Sequence, residues 1–325
     1  MRRLFIASER GPMRLALVDD AGRLQGAWQF TAGHESLVGD RFLGRVLKID
    51  RGVDAAFIDI GEPKPGFLPL AASPSPPVEG QVVTVEVSRD PVAGKGARLN
   101  GRIGEAVPLP PGSRPPLRLS RDGPLRRLLT RLGGELEIHA DTRRMADELS
   151  AAAESLPTGR HLRIDYRPQR DWSPGLAEIE AAVADALEAR VDLASGAWLL
   201  FEPGHTLTAV DVNSGSAQGG AAGSAGERLW LKINLEATKE IARQLRLRHI
   251  GGIVVIDFID LKDAMSRRQV SEALRQATVG DWEPCWVGTM SRLGLVEMTR
   301  RRGGPTLAEM WSPEQDRIRL NQPDP

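Results

Sequence analysis

Thiol groups are scarce in this sequence, which has one cysteine, Cys285, among 325 residues. A single thiol excludes an intramolecular disulfide framework. It also excludes a structural zinc site that one chain builds from several thiolates. We therefore expect Cys285 to be a small core residue, and we expect no zinc.

Net charge and long apolar runs are also lacking. The 43 basic and 43 acidic residues give a formal net charge of zero, so only a local basic stripe can mark a nucleic-acid partner. No run of about 18 apolar residues occurs, so no membrane span is expected. The opening MRRLFIASER is typical of a first strand and not of a secretion signal. We expect a cytoplasmic protein.

Two aspartates stand at the ends of strand-like apolar runs. Asp211 lies in LTAVDVNSGS at 207–216, and Asp257 lies in GGIVVIDFID at 251–260. A desolvated carboxylate without a partner is costly, so two acids at neighbouring strand ends suggest a cation between them. Mg²⁺ prefers one or two carboxylates together with waters and a phosphate, an arrangement that suits phosphodiester hydrolysis. The alternative is that both acids are helix caps or turn residues.

Residues 38–104 contain four or five short β-type runs separated by turn signals, which predicts a small closed barrel. Phe57 and Phe67 lie at predicted strand edges, and Phe67 directly follows Gly66. Exposed aromatic and basic side chains on such a barrel bind single strands by base stacking and phosphate contact. The alternative is that both phenylalanines belong to the barrel core. Lys95 and Arg98 lie in a glycine-flanked basic loop, which is either a phosphate contact or a solvated turn.

The rest of the chain mixes helix and strand patterns. Residues 1–37 resemble a hairpin with a third strand, and 105–119 form a proline-rich connector. Residues 120–188 alternate helices and strands, and 189–310 hold a strand pair, a long helix and further strands. The tail at 311–325 is predicted to be loose. The chain is therefore expected to be a multidomain α+β or α/β protein.

Several motifs together resemble the catalytic region of the ribonuclease E/G family. They cover more than a fifth of the chain in the family's order, and the stretch from 234 to 260 is the most specific. The motifs are GRVLKIDRGVDAAFIDIG at 44–61, GFLPL at 66–70, KGARL at 95–99, TAVDVNSG at 208–215, NLEATKEIARQLRLR at 234–248, GGIVVIDFID at 251–260 and SRLGLVEMTR at 291–300.

The resemblance implies a particular domain organisation. Residues 1–37 and 120–188 would form a split RNase H-like domain, and 38–104 an inserted OB-fold that binds RNA. After the connector at 105–119, residues 189–310 would form a DNase I-like catalytic domain, followed by the tail.

The resemblance also implies roles for particular residues. The family's metal-binding aspartates fall on Asp211 and Asp257, which would hold one Mg²⁺ ion, with Mn²⁺ as a substitute. The supporting asparagine falls on Asn213. We predict all three to be catalytic.

The RNA-gripping positions of the family's barrel fall on Phe57, Phe67 and Lys95, and the same loop adds Arg98. Arg292 and Arg300, with the neighbouring arginines, could line an RNA channel, and the alternative for them is a solvated basic edge.

The sequence departs from the family pattern in two ways, and each departure leads to an expectation. The 5′-monophosphate sensor of larger members has no recognisable counterpart, since only the proline-rich connector occupies its place. The Cys-x-x-Cys link that joins larger members through zinc has no counterpart either. We therefore expect cleavage by direct entry, and a monomer or a dimer not linked by zinc, with a tetramer unlikely.

The expected function is a Mg²⁺-dependent endoribonuclease that cleaves single-stranded RNA with a metal-activated water and leaves 5′-phosphate and 3′-hydroxyl ends. One alternative is an RNA-binding or ribosome-associated protein with little or no cleavage. Another is a nuclease that acts on DNA. The presence of two acids that are costly to desolvate, together with an asparagine, favours the enzyme over the RNA-binding protein.

Overall fold

The protein is described from a computed structural model. The structure describes residues 1–9, 12–30, 37–91, 95–102, 112–120, 124–153, 161–217 and 224–311. Residues 312–325 of the predicted tail and residues 105–111 of the predicted proline-rich connector lie outside the described residues.

The strands in chain order are β1 (Arg2–Ala7), β2 (Met13–Val18), β3 (Leu24–Phe30), β4 (Arg41–Asp50), β5 (Ala55–Asp59), β6 (Gly66–Pro69), β7 (Val82–Arg89), β8 (Arg98–Asn100), β9 (Leu117–Ser120), β10 (Leu136–Ala140), β11 (Leu162–Tyr166), β12 (Arg190–Asp192), β13 (Trp198–Pro203), β14 (Leu207–Asn213), β15 (Gly252–Asp257), β16 (Cys285–Val287) and β17 (Leu295–Arg300). The α-helices are α1 (Pro124–Leu132), α2 (Arg143–Ala153), α3 (Leu176–Leu187), α4 (Ser224–Leu247), α5 (Ala264–Ala277) and α6 (Leu307–Met310).

The chain divides into two compact units. One unit contains Met1–Phe30 and Gly133–Pro325, and the other contains Thr31–Leu132. The second unit therefore interrupts the first in sequence.

The inserted unit is a closed five-stranded barrel. Its sheet runs in the order β5-β6-β8-β7-β4, and an additional β5–β4 pairing closes it. Strand β4 closes the ring because its first half pairs with β7 and its second half with β5, with a register shift between Val46 and Lys48. Gly44 permits this close packing, since a Cβ there would lie 2.5 Å from Ile58. The barrel is filled by apolar side chains that include Ile58, Leu68 and Leu99.

The barrel unit extends further along the chain than the sequence indicated. Strand β9 lies in the part predicted as connector, and it pairs with the start of β4. Asp40 is fully buried, pairs with Arg118 of β9 and lies 3.6 Å from Arg127 of α1. These contacts place β9 and α1 with the barrel. The predicted boundaries at 104 and 120 were therefore wrong, because the pairing partners are distant in sequence.

The first sheet of the other unit has the order β11-β10-β1-β2-β3. The β11–β10 and β10–β1 pairs are parallel, and the β1–β2 and β2–β3 pairs are antiparallel. Leu4, Phe5 and Ile6 of β1 are consecutive and all buried. A run without alternation is typical of a central strand that is covered on both faces.

The second sheet of this unit has the order β12-β13-β14-β15-β17-β16. Helix α4 packs on one face through Ile233, Ala237, Ile241 and Leu245, whose four-residue spacing forms a continuous apolar stripe. The side chains at even positions of β14 and β15, such as Val210 and Ile256, fill the same core. Since side chains alternate along a strand, the odd positions of β14 and β15 lie on the opposite face.

None of the helices in the described parts of the chain is long and apolar enough to cross a membrane.

Candidate active site

Asp211 and Asp257 are direct partners at the same edge of the second sheet. Strands β14 and β15 run parallel, and their register pairs Asp211 with Asp257. Neighbouring strands lie about 4.8 Å apart, so partners at one level place their side chains side by side on one face. The structure therefore brings together the two acids that the sequence singled out.

Both acids lie on the face of the sheet opposite α4. Asp257 is exposed and Asp211 is partly exposed, whereas their strand neighbours Val210 and Ile256 are buried in the core. The backbone therefore forces these two side chains out of the apolar core. A solvated ion or a phosphate can reach them without rearrangement of that core.

Asn213 lies on the same face as Asp211, two residues further along β14. Its amide Nδ2 donates a hydrogen bond to Oδ2 of Asp211 at 2.5 Å. A donor fixed on one carboxylate oxygen orients the carboxylate and leaves its other oxygen available. Asn213 is therefore in a position to orient Asp211, and the structure joins all three predicted catalytic residues into one group.

A third acid, Asp260, lies close to Asp257. A Cβ placed on Gly294 would lie 3.1 Å from an oxygen of Asp260 and 3.6 Å from an oxygen of Asp257. Gly294 has φ +80 and accepts a hydrogen bond from the amide of Phe258, so a side chain there would disturb this edge. The sequence reasoning missed Asp260, although the D-x-x-D spacing at the end of β15 was a signal.

The local environment of Asp257 disfavours its charge. Partial removal of water, followed by the negative charges of Asp211 and Asp260, raises the pKa of the Asp257 carboxyl. A site that gathers carboxylates in this way gains free energy when a cation binds.

Helix α4 holds the segment that follows β15. Asn234 is fully buried, and its amide bonds the backbone of Ile259 in both directions, at 2.8 and 3.1 Å. Glu227 accepts hydrogen bonds from the amides of Lys262 and Asp263. The position of Asp260 is thereby fixed from the core side.

The helix-cap interpretation applies to a different aspartate. Asp263 precedes α5 and accepts a hydrogen bond from the amide of Ser266 at 2.7 Å, which is an N-cap. Asp211 lies within β14, and Asp257 is the last residue of β15. Neither residue therefore caps a helix.

The barrel carries its own candidate surface. Phe57 and Phe67 are paired across β5 and β6, and their rings meet edge to face with centroids 6.0 Å apart. Arg98 is the partner of Phe67 on β8, and its guanidinium lies 5.7 Å from the centre of that ring. Both phenylalanines are partly exposed, and neither belongs to the barrel core. The core alternative for them was therefore wrong.

The pairing of β4 with β5 and of β7 with β8 adds two basic residues to this group, and the sequence did not point to either of them. Lys48 of β4 is the partner of Phe57, and Arg89 of β7 is the partner of Arg98. We call Lys48, Phe57, Phe67, Arg98 and Arg89 the barrel row. Aromatic side chains at its centre and basic ones at its ends match the pattern that holds a single nucleic-acid strand.

Lys95 is exposed and precedes a very close backbone approach. A Cβ on Gly96 would lie 1.9 Å from the carbonyl oxygen of Pro65, so only glycine fits beside that chain. The close approach fixes the backbone from Lys95 to Arg98 against the start of β6.

The two predicted channel arginines differ in their surroundings. Arg292 is exposed in the turn from Ser291 to Leu295, whose last residue is the partner of Asp257. Arg300, in contrast, is only 3% exposed. It pairs with the buried Asp281 at 2.9 Å and donates to the carbonyl of Ile250. The prediction that Arg300 contacts RNA was therefore wrong, because its guanidinium is used inside the fold.

Cys285 lies on β16 and is partly buried. Burial, with the negative charge of Asp281, raises the pKa of its thiol to about 11. A thiol that stays protonated at neutral pH is a poor nucleophile and a poor metal ligand, which agrees with a packing role.

The chain resembles known ribonucleases over most of its length. The model of the ribonuclease E/G family matches residues 125–303. Ribonuclease E of Nostoc sp. is 30% identical over 95% of this chain and 57% of the relative. Ribonuclease E of Escherichia coli K12 is 29% identical over 95% of this chain and 38% of the relative. Ribonuclease G of the same strain is 42% identical over 39% of this chain and 25% of the relative.

The chain thus spans less than two thirds of the length of these curated relatives. The family model nevertheless matches more than half of the chain, and the matched part contains Asp211, Asn213 and Asp257. The chain therefore belongs to the ribonuclease E/G family.

Proposed function

We propose that this protein is a Mg²⁺-dependent endoribonuclease that cleaves single-stranded RNA in RNA processing or decay in the cytoplasm. The observation that carries the proposal is the direct pairing of Asp211 with Asp257 at the carboxyl ends of two parallel strands, on the face opposite α4. The relatives named ribonuclease E and ribonuclease G support the same class of reaction.

The donor set fits a hard divalent cation. Asp211 and Asp257 offer carboxylate oxygens, the preferred ligands of Mg²⁺, and Asp260 adds negative charge at the same edge. Partial burial, followed by the negative charges of Asp211 and Asp260, raises the pKa of Asp257, and one bound cation would relieve the repulsion among these acids. A bound Mg²⁺ would supply a water of lowered pKa and charge stabilisation at the phosphate.

The residues of the chain would do the positioning. Asn213 holds one oxygen of Asp211, so that the other oxygen keeps a fixed direction. Arg292 lies in the turn that leads to the partner of Asp257, where its positive charge can bind a phosphate of the substrate. Attack by water on the phosphorus with departure of the 3′ oxygen would leave a 5′-phosphate and a 3′-hydroxyl.

The barrel would select the single strand. We propose that it is an OB-fold, since a five-stranded closed barrel with this arrangement is the form that fold takes. Unpaired bases would stack on Phe57 and Phe67, while Lys48, Lys95, Arg89 and Arg98 would meet phosphates. A duplex offers no unstacked bases to such a row.

We also propose that cleavage does not depend on the 5′ end of the RNA, since no sequence counterpart of the 5′-phosphate sensor is recognisable between the barrel and β10. The test is a fluorescent single-stranded RNA offered with a 5′-monophosphate or a 5′-hydroxyl, in Mg²⁺ or in EDTA, with the product ends mapped.

Equal, Mg²⁺-dependent cleavage of both RNAs, with 5′-phosphate products, is expected. Strong preference for the monophosphate would refute the absence of 5′ sensing. Tight binding without any cleavage would refute the enzyme and favour an RNA-binding protein.

A further inference from the structure

A second group of metal-ligating side chains lies in the first sheet, outside the candidate active site. Glu137 and His139 are on β10, and Asp165 on β11 is the direct partner of His139. Each of the three offers one ligand atom, and these atoms all lie within 4.8 Å of one another.

The histidine of this group is buried without a hydrogen-bond partner among the described residues. His139 is 0% exposed, and within the described residues neither of its ring nitrogens has a hydrogen-bond partner. Its ring packs against Phe5, with centroids 5.1 Å apart, and Nε2 faces Oε1 of Glu137 at 3.6 Å. A buried polar group without a partner is rare in native proteins and calls for an explanation such as an unseen ion.

We propose that Glu137, His139 and Asp165 form a second metal site, which binds a divalent transition-metal ion of the Zn²⁺ or Mn²⁺ type. One imidazole with two carboxylates suits such an ion better than Mg²⁺, which favours oxygen ligands. The site uses no thiolate, so the scarcity of cysteine does not bear on it.

The geometry is close to what an ion requires. Ligand atoms about 2.1 Å from an ion at tetrahedral angles lie about 3.4 Å apart. Separations of at most 4.8 Å need only small side-chain rotations to reach this arrangement. The side chains of Glu137 and Asp165 are 18% and 37% exposed, so an ion can enter from their side and keep a water ligand.

The surrounding charges are mixed. Asp165 pairs with Arg163 through Oδ2 at 3.1 Å, which leaves its other carboxylate oxygen. Burial, together with the positive charges of Arg167 and Arg3, lowers the pKa of His139 against the opposing effect of Glu137 and Asp165. A neutral imidazole keeps the lone pair that a metal needs, whereas the arginines weaken the attraction of a cation.

An ion here would join two parallel strands of the first sheet. It would bridge β10 and β11 through side chains, and it would give His139 the partner that the described residues do not provide. The expected role is stabilisation of this sheet, separate from cleavage at Asp211 and Asp257.

The first test is calorimetric titration of the full chain carrying Asp211→Asn and Asp257→Asn with ZnCl₂ and with MnCl₂. These substitutions remove the candidate active site, so the result does not depend on the proposed function. We expect one ion to bind per chain, with at least tenfold weaker binding after Glu137→Gln. Glu148→Gln on α2, an exposed glutamate of the same unit, is the matched control and should change nothing. If neither Zn²⁺ nor Mn²⁺ shows saturable binding, the proposal is overturned.

The second test identifies the histidine. The chain has five histidines, so nitrogen-15 spectra of the imidazole rings are simple to resolve. His139→Phe, which can pack against Phe5 in the same space, assigns one ring by its disappearance. In the protein that retains His139, saturating Zn²⁺ should shift the nitrogen resonances of the His139 ring. Zn²⁺ should also raise the unfolding temperature of this protein, but not that of His139→Phe. An unshifted His139 ring would contradict the site.

Discussion

Asp211 and Asp257 face each other across two parallel strands, and neither acid reaches the apolar core of its sheet. The pairing places like charges side by side at one edge, with Asp260 close by. Such an arrangement is unfavourable for the metal-free fold and favourable for binding a cation.

Replacing Asp257 with asparagine should stabilise the metal-free protein. The pKa of Asp257 is raised in the folded state, so its ionised form opposes folding at neutral pH. In EDTA at pH 7, Asp257→Asn should raise the free energy of unfolding by about 0.5 kcal/mol, allowing for solvent screening. The gain should vanish as the pH falls through the raised pKa towards the ordinary value of 3.8. Urea unfolding at several pH values measures it.

Added Mg²⁺ supplies the control for this experiment. An ion that binds only the folded state stabilises it by about 2.7 kcal/mol at a concentration of 100 times its Kd. Mg²⁺ should therefore stabilise the unsubstituted protein and leave Asp257→Asn unchanged. A variant that is less stable than the parent in EDTA would contradict the charge argument.

The phenylalanines of the barrel row should matter for binding and not for folding. Base stacking contributes about 1–3 kcal/mol per base, so Phe57→Ala and Phe67→Ala should each weaken single-stranded RNA binding by about 5- to 150-fold. Val78, an exposed apolar residue outside the row, is the control, and Val78→Ala should have no effect. Fluorescence anisotropy measures the affinities. Unchanged affinity in both phenylalanine variants would remove the barrel row from the binding surface.

Lys48 should contribute to RNA binding through its charge alone. Each phosphate contact to a single strand adds about 0.7 to the slope of log K against log salt concentration, so Lys48→Ala should lower that slope by about 0.7. Arg144→Ala, which removes an exposed arginine of α2, should leave it unchanged. Equal slopes for Lys48→Ala and the parent protein would show that Lys48 does not touch the RNA.

Substitutions of the two arginines predicted for the channel should have different effects, one on stability and the other on cleavage. Removing one member of a buried ion pair costs about 3–5 kcal/mol, so Arg300→Met should destabilise the fold strongly. Arg292→Met should change stability by less than about 0.5 kcal/mol and should slow cleavage. Denaturant unfolding and cleavage rates measure the two effects. Normal stability in Arg300→Met would contradict its assigned role.

The sequence predicted the strands that carry the acids, because an apolar run that ends in aspartate has a clear local pattern. It could not show that β14 and β15 are neighbours in register, since pairing depends on contacts between distant residues. The same limit hid Lys48 and Arg89, which become meaningful only through their partners Phe57 and Arg98. It also hid the membership of β9 and α1 in the barrel unit.

The burial of Arg300 had a local signal. It alternates with Val296 and Met298, both fully buried, so the two-residue period of β17 already directs its side chain towards the core. An arginine in such a position needs a buried acid, and Asp281 lies 19 residues away in sequence. Alternation thus predicts the burial, but only the fold identifies the partner.

The most direct test of the central claim compares Mg²⁺-dependent RNA cleavage by the parent protein with that of Asp211→Asn and Asp257→Asn. Asp192→Asn is the control, since Asp192 is an exposed acid of the same sheet that pairs with Arg190. Both site variants should retain RNA affinity and lose at least about a thousandfold in cleavage rate, or about 4 kcal/mol of transition-state stabilisation, while Asp192→Asn cleaves normally. Cleavage by Asp257→Asn within tenfold of the parent rate would contradict the assignment of this pair as the metal site.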